Sequence, residues 1–225
     1  MNAGLTPLTD AEASDCELIF RLTRNHLGFV PNSMRTMARQ PAILSNFTML
    51  VASVLGQPTD ARLPFWTGLR LLIKNIVWTM RCLRSTNRLS LSLKNLVAHV
   101  ASSASGCRYC QAHTIGEALV QGVSVAKLKT VWEFERSDLF DIAERAALRF
   151  AFAAGSSPNS VTNEHFVELR KYYDEEQIVE LGATIALMGF LNRWNDTFAT
   201  TLESDAARIA HECLGGTGWT VGKHA

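Results

Sequence analysis

The sequence predicts an all-α fold. Apolar residues recur at three- and four-residue spacing in window after window, and no long stretch alternates apolar with polar residues as a half-buried strand would. Breaks containing Gly or Pro separate the windows, which is where helices stop and restart. The chain has 225 residues, of which 47% are hydrophobic, enough for a proper core. A single helical domain is expected over 1–225. Its parts are N-terminal helices over 10–62, an apolar and basic helical segment over 63–88, a core over 89–205 and a tail over 206–225.

A first helix is expected over 10–26, with Asp10 as N-cap and Leu18, Ile19 and Leu22 as its apolar stripe. Gly28 to Asn32 breaks it, and Pro31 opens a short helix at the first position, where its missing N–H costs nothing. Pro41 opens another, with Ile43, Leu44, Phe47, Leu50, Val51 and Val54 on one face, and a turn follows over 56–60. Over 63–84, Phe65, Trp66, Leu69, Leu72, Ile73, Ile76, Val77, Trp78 and Met80 are interrupted by Arg70, Lys74, Arg81 and Arg84. A bilayer span needs roughly 20 apolar residues in a row, so this segment is expected to pack on the core or on a neighbouring subunit. Helices are also expected from Ser124 to Trp132, from Asp138 or Asp141 to Phe152, and from Thr162. The helix at Thr162 carries His165 where a capping box wants Glu or Gln. The run from Ile178 to Leu191 is nearly all apolar and is expected to be the central buried helix of the fold, continuing to Phe198. Gly215 to Gly218 marks a flexible tail.

Composition excludes several functions. With 22 Lys and Arg against 21 Asp and Glu, the net charge of +1 gives no electrostatic reason for a nucleic-acid partner. The first ten residues lack a basic stretch followed by an apolar one. Five cysteines without framework spacing suit a reducing cytoplasm, and Cys16, Cys82 and Cys213 read as free thiols.

The remaining two cysteines form the sharpest motif, Ser105-Gly-Cys-Arg-Tyr-Cys-Gln-Ala-His113. Upstream, Leu91, Leu93, Leu96, Val97 and Val100 make a helical stripe that Gly106 is suited to end. Downstream, Ala112, Ile115, Leu119 and Val120 make another. Cys107 and Cys110 therefore sit at the first turn of a helix, where free N–H groups and the positive dipole end favour a thiolate. On that helix Cys110 and His113 share a face, and Glu117 extends it by a turn. A redox dithiol, part of a zinc site and two buried small residues all remain open on spacing alone. Zinc wants four ligands, or three plus water; Cys107, Cys110 and His113 supply three, and no second Cys-x-x-Cys or His pair exists to close the set.

Leu93-Lys-Asn-Leu-Val-Ala-His-Val100, together with Gly106-Cys-Arg-Tyr-Cys-Gln-Ala-His-Thr114, resembles the AhpD-like (carboxymuconolactone decarboxylase) family. Leu27-Gly-Phe-Val-Pro-Asn32 and Leu187-Met-Gly-Phe-Leu-Asn-Arg193 add to the resemblance, which covers most of 15–205. It implies an AhpD-like helical bundle, a homo-oligomer (dimer, trimer or hexamer) and thiol-dependent reduction of hydroperoxides. An external dithiol would restore the pair, with no bound cofactor and no metal. By position, Cys110 assisted by His113 is expected to attack the peroxide and Cys107 to condense with the resulting sulfenic acid. Two positions depart from the family. Its proton-relay glutamate is Asn95 here, and its histidine position is Thr114, with His113 one place earlier. His99 and Glu117, each one turn away, are expected to restore part of the relay. Two alternatives stand beside this reading. One is a carboxymuconolactone-decarboxylase-type enzyme that does not use the thiols, and the other is a non-enzymatic helical oligomer.

Overall fold

The computed structural model describes residues 4–55 and 64–225, so the turn expected at 56–60 lies outside the described residues. Those residues contain helices and no strand. They divide into two compact units, one of the described residues within 5–88 and one of Gly4 with 89–225.

In the unit 5–88, a 3-10 turn at Ser14–Cys16 leads into α1 (Glu17–Leu27), followed by α2 (Asn32–Met37), α3 (Pro41–Leu55) and α4 (Phe65–Arg84). α1 starts later than the sequence suggests, because Asp10 is engaged elsewhere. Its carboxylate bridges Arg24 at 2.7 Å and Arg35 at 2.8 Å, and the hydrogen bond from Arg35 first of all holds it below its usual range. Gly28 ends α1 at φ +82°, a left-handed position that side chains with a Cβ resist. Pro31 is the N-cap of α2, one place before the expected position, whereas Pro41 is the first residue of α3. Cys16, Ile19, Phe20, Met34, Leu44 and Trp78 belong to the buried core of this unit. Asn75 of α4 donates to Ser45 Oγ at 2.9 Å and to Asn46 Oδ1 at 3.0 Å, fixing α4 against α3. Trp78 is the buried residue of α4, while Phe65, Trp66, Leu72, Ile73, Ile76, Met80 and Leu83 are exposed. No helix among the described residues is long and apolar enough to cross a membrane.

The second unit is built around α5 (Leu91–Ala104), whose residues Leu93 and Leu96 to Ser102 are buried. It packs against α6 (Arg108–Val120), and further along the chain against α8 (Ile142–Gly155) and α10 (Glu175–Phe198). Between them lie α7 (Val125–Lys129) and α9 (Asn163–Leu169), and α11 (Ser204–Leu214) closes the order. Local chemistry sets the starts. Ser90 Oγ accepts from Leu93 N–H, Asp141 pairs with Glu144 in a capping box, and Asp174 pairs with Gln177 in another. At Thr162 the imidazole of His165 takes the glutamate's place, its Nδ1 accepting the Thr162 N–H at 3.1 Å. The backbones of α5 and α8 touch at Gly155, where an added Cβ would lie 2.7 Å from the Ala101 carbonyl oxygen. A buried ion pair between Lys94 and Glu180 joins α5 to α10, and Glu180 also accepts the Leu89 N–H at 3.0 Å.

Two expectations change here. α10 is not the enclosed centre. It buries Ile178, Val179, Leu181, Ile185 and Met188, but exposes Leu187, Phe190, Trp194 and Phe198 while turning Asn192 and Asn195 inward. An apolar run does not say which edge of a helix is enclosed; the more enclosed helix is α5. Nor does the tail hang free. Trp219 and His224 are both buried, and Leu202 N–H donates to the His224 carbonyl at 2.7 Å.

Candidate functional site

The site forms at the corner between α5 and α6. Ser105 caps α5, and Gly106 follows at φ +83°. Gly106 N–H donates to Ser103 C=O, and Cys107 N–H to Ser102 C=O, each at 3.1 Å. That pairing is a Schellman turn, and it makes Cys107 the residue that leaves one helix and caps the next. Cys107 has φ −75° and ψ 103°, an extended N-cap conformation, and its sulfur accepts the Cys110 N–H at 3.4 Å. Its carbonyl accepts the first intrahelical bond, from Gln111 at 3.0 Å.

Both cysteines are free and buried. Their acidities diverge. The Cys110 thiol donates to Cys107, and with the backbone N–H of Cys110 it lowers the Cys107 pKa, against burial and the nearby Asp196 carboxylate. Cys110 is pushed up, first by that same hydrogen bond and then by burial. The hydrogen bond favours the acceptor's charged form and disfavours the donor's, so Cys107 is the more acidic sulfur of the pair. Asn195 Nδ2–H donates to Cys110 Sγ at 3.5 Å, and Asn192 donates to Ser105 Oγ at 2.6 Å, so α10 fastens both ends of the corner.

Beside Cys107 the fold places two residues that spacing could not connect to it. A Cys107 sulfur, an Asp196 oxygen and a His224 nitrogen lie within 4.8 Å of one another. His224 Nδ1 bonds the Thr200 carbonyl at 2.8 Å, and its Nε2 lies 3.1 Å from Asp196 Oδ1. Lys223 Nζ lies 3.4 Å from the same oxygen and donates to the Asp196 carbonyl at 2.9 Å.

His113 is half-exposed on α6, with its ring 4.4 Å from that of Tyr109. The carboxylate it meets is Glu203, the N-cap of α11, at 2.9 Å, and Tyr109 donates to the other Glu203 oxygen at 3.2 Å. Glu203 is held below its usual pKa, first by its own backbone N–H and then by His113. Glu117 is exposed one turn further on, and Asn95 is half-buried in α5. His99 is fully enclosed, and burial pushes its pKa down to about 4, so it is neutral near pH 7. Its Nδ1 lies 3.1 Å from the Thr114 hydroxyl, which donates to the Cys110 carbonyl at 2.8 Å. His99 therefore braces the first turn of α6 from behind.

The structure thus gathers Cys107 and Cys110 with Asn195, Asp196 and His224, and sets His113 with Tyr109 and Glu203. Sequence reasoning missed Asn195, Asp196, Glu203 and His224. The one signal for Asn195 and Asp196 was a polar pair closing an apolar helix, just past the Leu187–Arg193 stretch.

The sequence model of the carboxymuconolactone decarboxylase family matches residues 76–153. YnjA of Escherichia coli K12 is 29% identical over 196 residues, covering 85% of this chain and 90% of that protein. Among solved structures, the chain is similar to the debrominase Bmp8, in a cysteine-to-alanine variant bound to 2,3,4-tribromopyrrole. Identity is 34%, TM-score 0.56, with 95% of this chain and 98% of that one covered. Apo Bmp8 matches at 33% identity with the same TM-score, covering 92% and 96%.

Proposed function

From the premise that the chain belongs to the carboxymuconolactone decarboxylase family, we propose that it is a dithiol-dependent reductase acting on hydroperoxides through Cys107 and Cys110. The observation that carries this is the polarised pair itself. One sulfur takes two hydrogen bonds and is the more acidic, and its neighbour holds its proton more tightly, as the second step needs. The Cys107 thiolate attacks the outer peroxide oxygen, and the O–O bond breaks to give a sulfenic acid and an alkoxide. His113, at the rim and hydrogen-bonded to Glu203, protonates the alkoxide. Cys110 sulfur then displaces hydroxide from the sulfenic acid. That hydroxide leaves as water with the Cys110 proton, and the disulfide remains. A dithiol reductant returns two electrons and two protons. This order exchanges the two cysteines relative to the order expected from position, because the local donors converge on Cys107.

A second reading is favoured by the likeness to Bmp8 over nearly the full length of both chains. In it the same thiolate takes bromine from a brominated ring, the ring carbon accepts a proton, and Cys110 releases bromide as the disulfide closes. Homo-oligomerisation belongs to the same proposal, supported by the apolar residues exposed on α4 and, separately, on α10.

The test is intact mass of the pre-reduced chain before and after one equivalent of tert-butyl hydroperoxide or a polybrominated pyrrole, with bromide recorded. A loss of about 2 Da that needs both Cys107 and Cys110 and is reversed by dithiol supports the reductase. The substrate giving the faster loss decides between the readings. Thiols that survive both reagents would overturn the proposal and direct attention to lactone and carboxylate substrates.

A further inference from the structure

We propose that Cys107, Asp196 and His224 form a binding site for a thiophilic divalent cation of zinc's kind, and that its occupation withholds Cys107 from redox chemistry. The second half rests on the reductase reading; the binding site does not.

The three donor atoms lie within 4.8 Å of one another. A thiolate sulfur, an imidazole nitrogen and a carboxylate oxygen are the mixed set that zinc accepts. His224 is only 1% exposed and is oriented as metal-binding histidines are. Its Nδ1–H donates to the Thr200 carbonyl, which has no proton to give, and this turns Nε2 towards Asp196 Oδ1 at 3.1 Å. A ring nitrogen and a carboxylate oxygen at this distance share a positive charge, either a proton or a metal ion. A metal ion there is shared with the Cys107 thiolate, and the two anionic ligands balance its charge. Lys223, 3.4 Å from the same oxygen, is the group the ion has to displace. Zinc–ligand bonds of about 2.0–2.3 Å put donor atoms roughly 3.3–3.8 Å apart, so His224 and Asp196 at 3.1 Å already have nearly that spacing and the Cys107 sulfur has to move in by at most about 1 Å. The fourth position is left to solvent or to the Cys110 sulfur. Disulfide formation removes the thiolate ligand, so the oxidised chain and the metal-bound chain exclude each other.

The experiment is a titration of the pre-reduced, metal-free full chain with Co²⁺, following the sulfur-to-cobalt charge-transfer band in the near ultraviolet. Zn²⁺ is then added in competition with a chromophoric chelator. One equivalent is expected to bind. The band is expected to vanish in Cys107→Ser, affinity to fall at least about 10-fold in both His224→Gln and Asp196→Asn, and Cys213→Ser to bind as the parent does. Circular dichroism of each variant shows whether it is folded, and having two ligand variants keeps the test decisive if one is not. Binding that is indifferent to both His224→Gln and Asp196→Asn would mean a simple two-thiol chelate and would overturn the site. So would the absence of any band at excess Co²⁺, which would mean that a proton fills the gap. The peroxide and bromopyrrole mass assay, run metal-free, reports separately on the reductase.

Discussion

Cys16 and Cys107 invite comparison because so much about them is alike. Each is fully buried, and each is the N-cap of an α-helix, where the dipole and free N–H groups are supposed to make a thiol acidic. Yet Cys16 is pushed up to about 11, by burial first and Asp15 second, whereas Cys107 is lowered. Backbone angle makes the difference. Cys16 ends a 3-10 turn with ψ 4°, and its sulfur caps nothing. Cys107 has ψ 103°, which swings its sulfur over the helix end to the Cys110 N–H, and a second thiol stands ready to donate. A helix terminus alone does not activate a cysteine; donors aimed at the sulfur do.

The largest expected effect separates the two by function. Cys107→Ser should lower dithiol turnover on the order of 10³-fold or more, as loss of a nucleophile does, while Cys16→Ser leaves turnover near that of the parent. Stopped-flow oxidation of both variants measures it, and equal losses would erase the distinction.

A smaller effect lies in stability against pH. The raised pKa of Cys16 means that the folded state holds its proton after the unfolded chain has released it. The resulting stability is whole below pH 9 and is lost as pH rises towards 11. The loss should amount to about 2–3 kcal/mol at 1.36 kcal/mol per pH unit. Cys107 has the opposite sign. Its lowered pKa stabilises the fold above the ordinary thiol range, and that contribution fades as pH falls through the folded value. Urea midpoints between pH 8 and 11.5 should therefore fall less steeply in Cys16→Ala than in the parent, and coincident curves would refute the assignment.

The smallest effect tests the corner that sets ψ. Gly106→Ala forces an L-residue into the left-handed region, costing about 1–2 kcal/mol. It should also raise the pH at which Cys107 is alkylated, because the turn that aims its sulfur is strained. Alkylation followed by peptide mass spectrometry reads this, with Cys16 as the internal reference.

Much of the fold could be read from residues alone. Period, Pro31, Pro41, Gly28 and Gly106 located the helices, and the small-residue break before Cys107 located the corner. These are local signals, decided by neighbours within a turn. What failed was non-local. The apolar run of α10 said nothing of which edge faces inward, and the inner edge is the one carrying Asn192 and Asn195. His224 sits in a glycine-rich tail with no period, and contacts with Leu202, Thr200 and Asp196 hold it beside Cys107. The partner of His113 was sought one turn away, at Glu117, and arrived instead from residue 203. Side chains about 90 residues apart meet through packing, which periodicity does not encode.

The backbone of Cys107 is tied in both directions, its N–H to Ser102 and its C=O to Gln111. Under the proposed reductase, the backbone at this corner is expected to stay in place through the cycle, and the electron donor is expected to come in to the buried sulfurs.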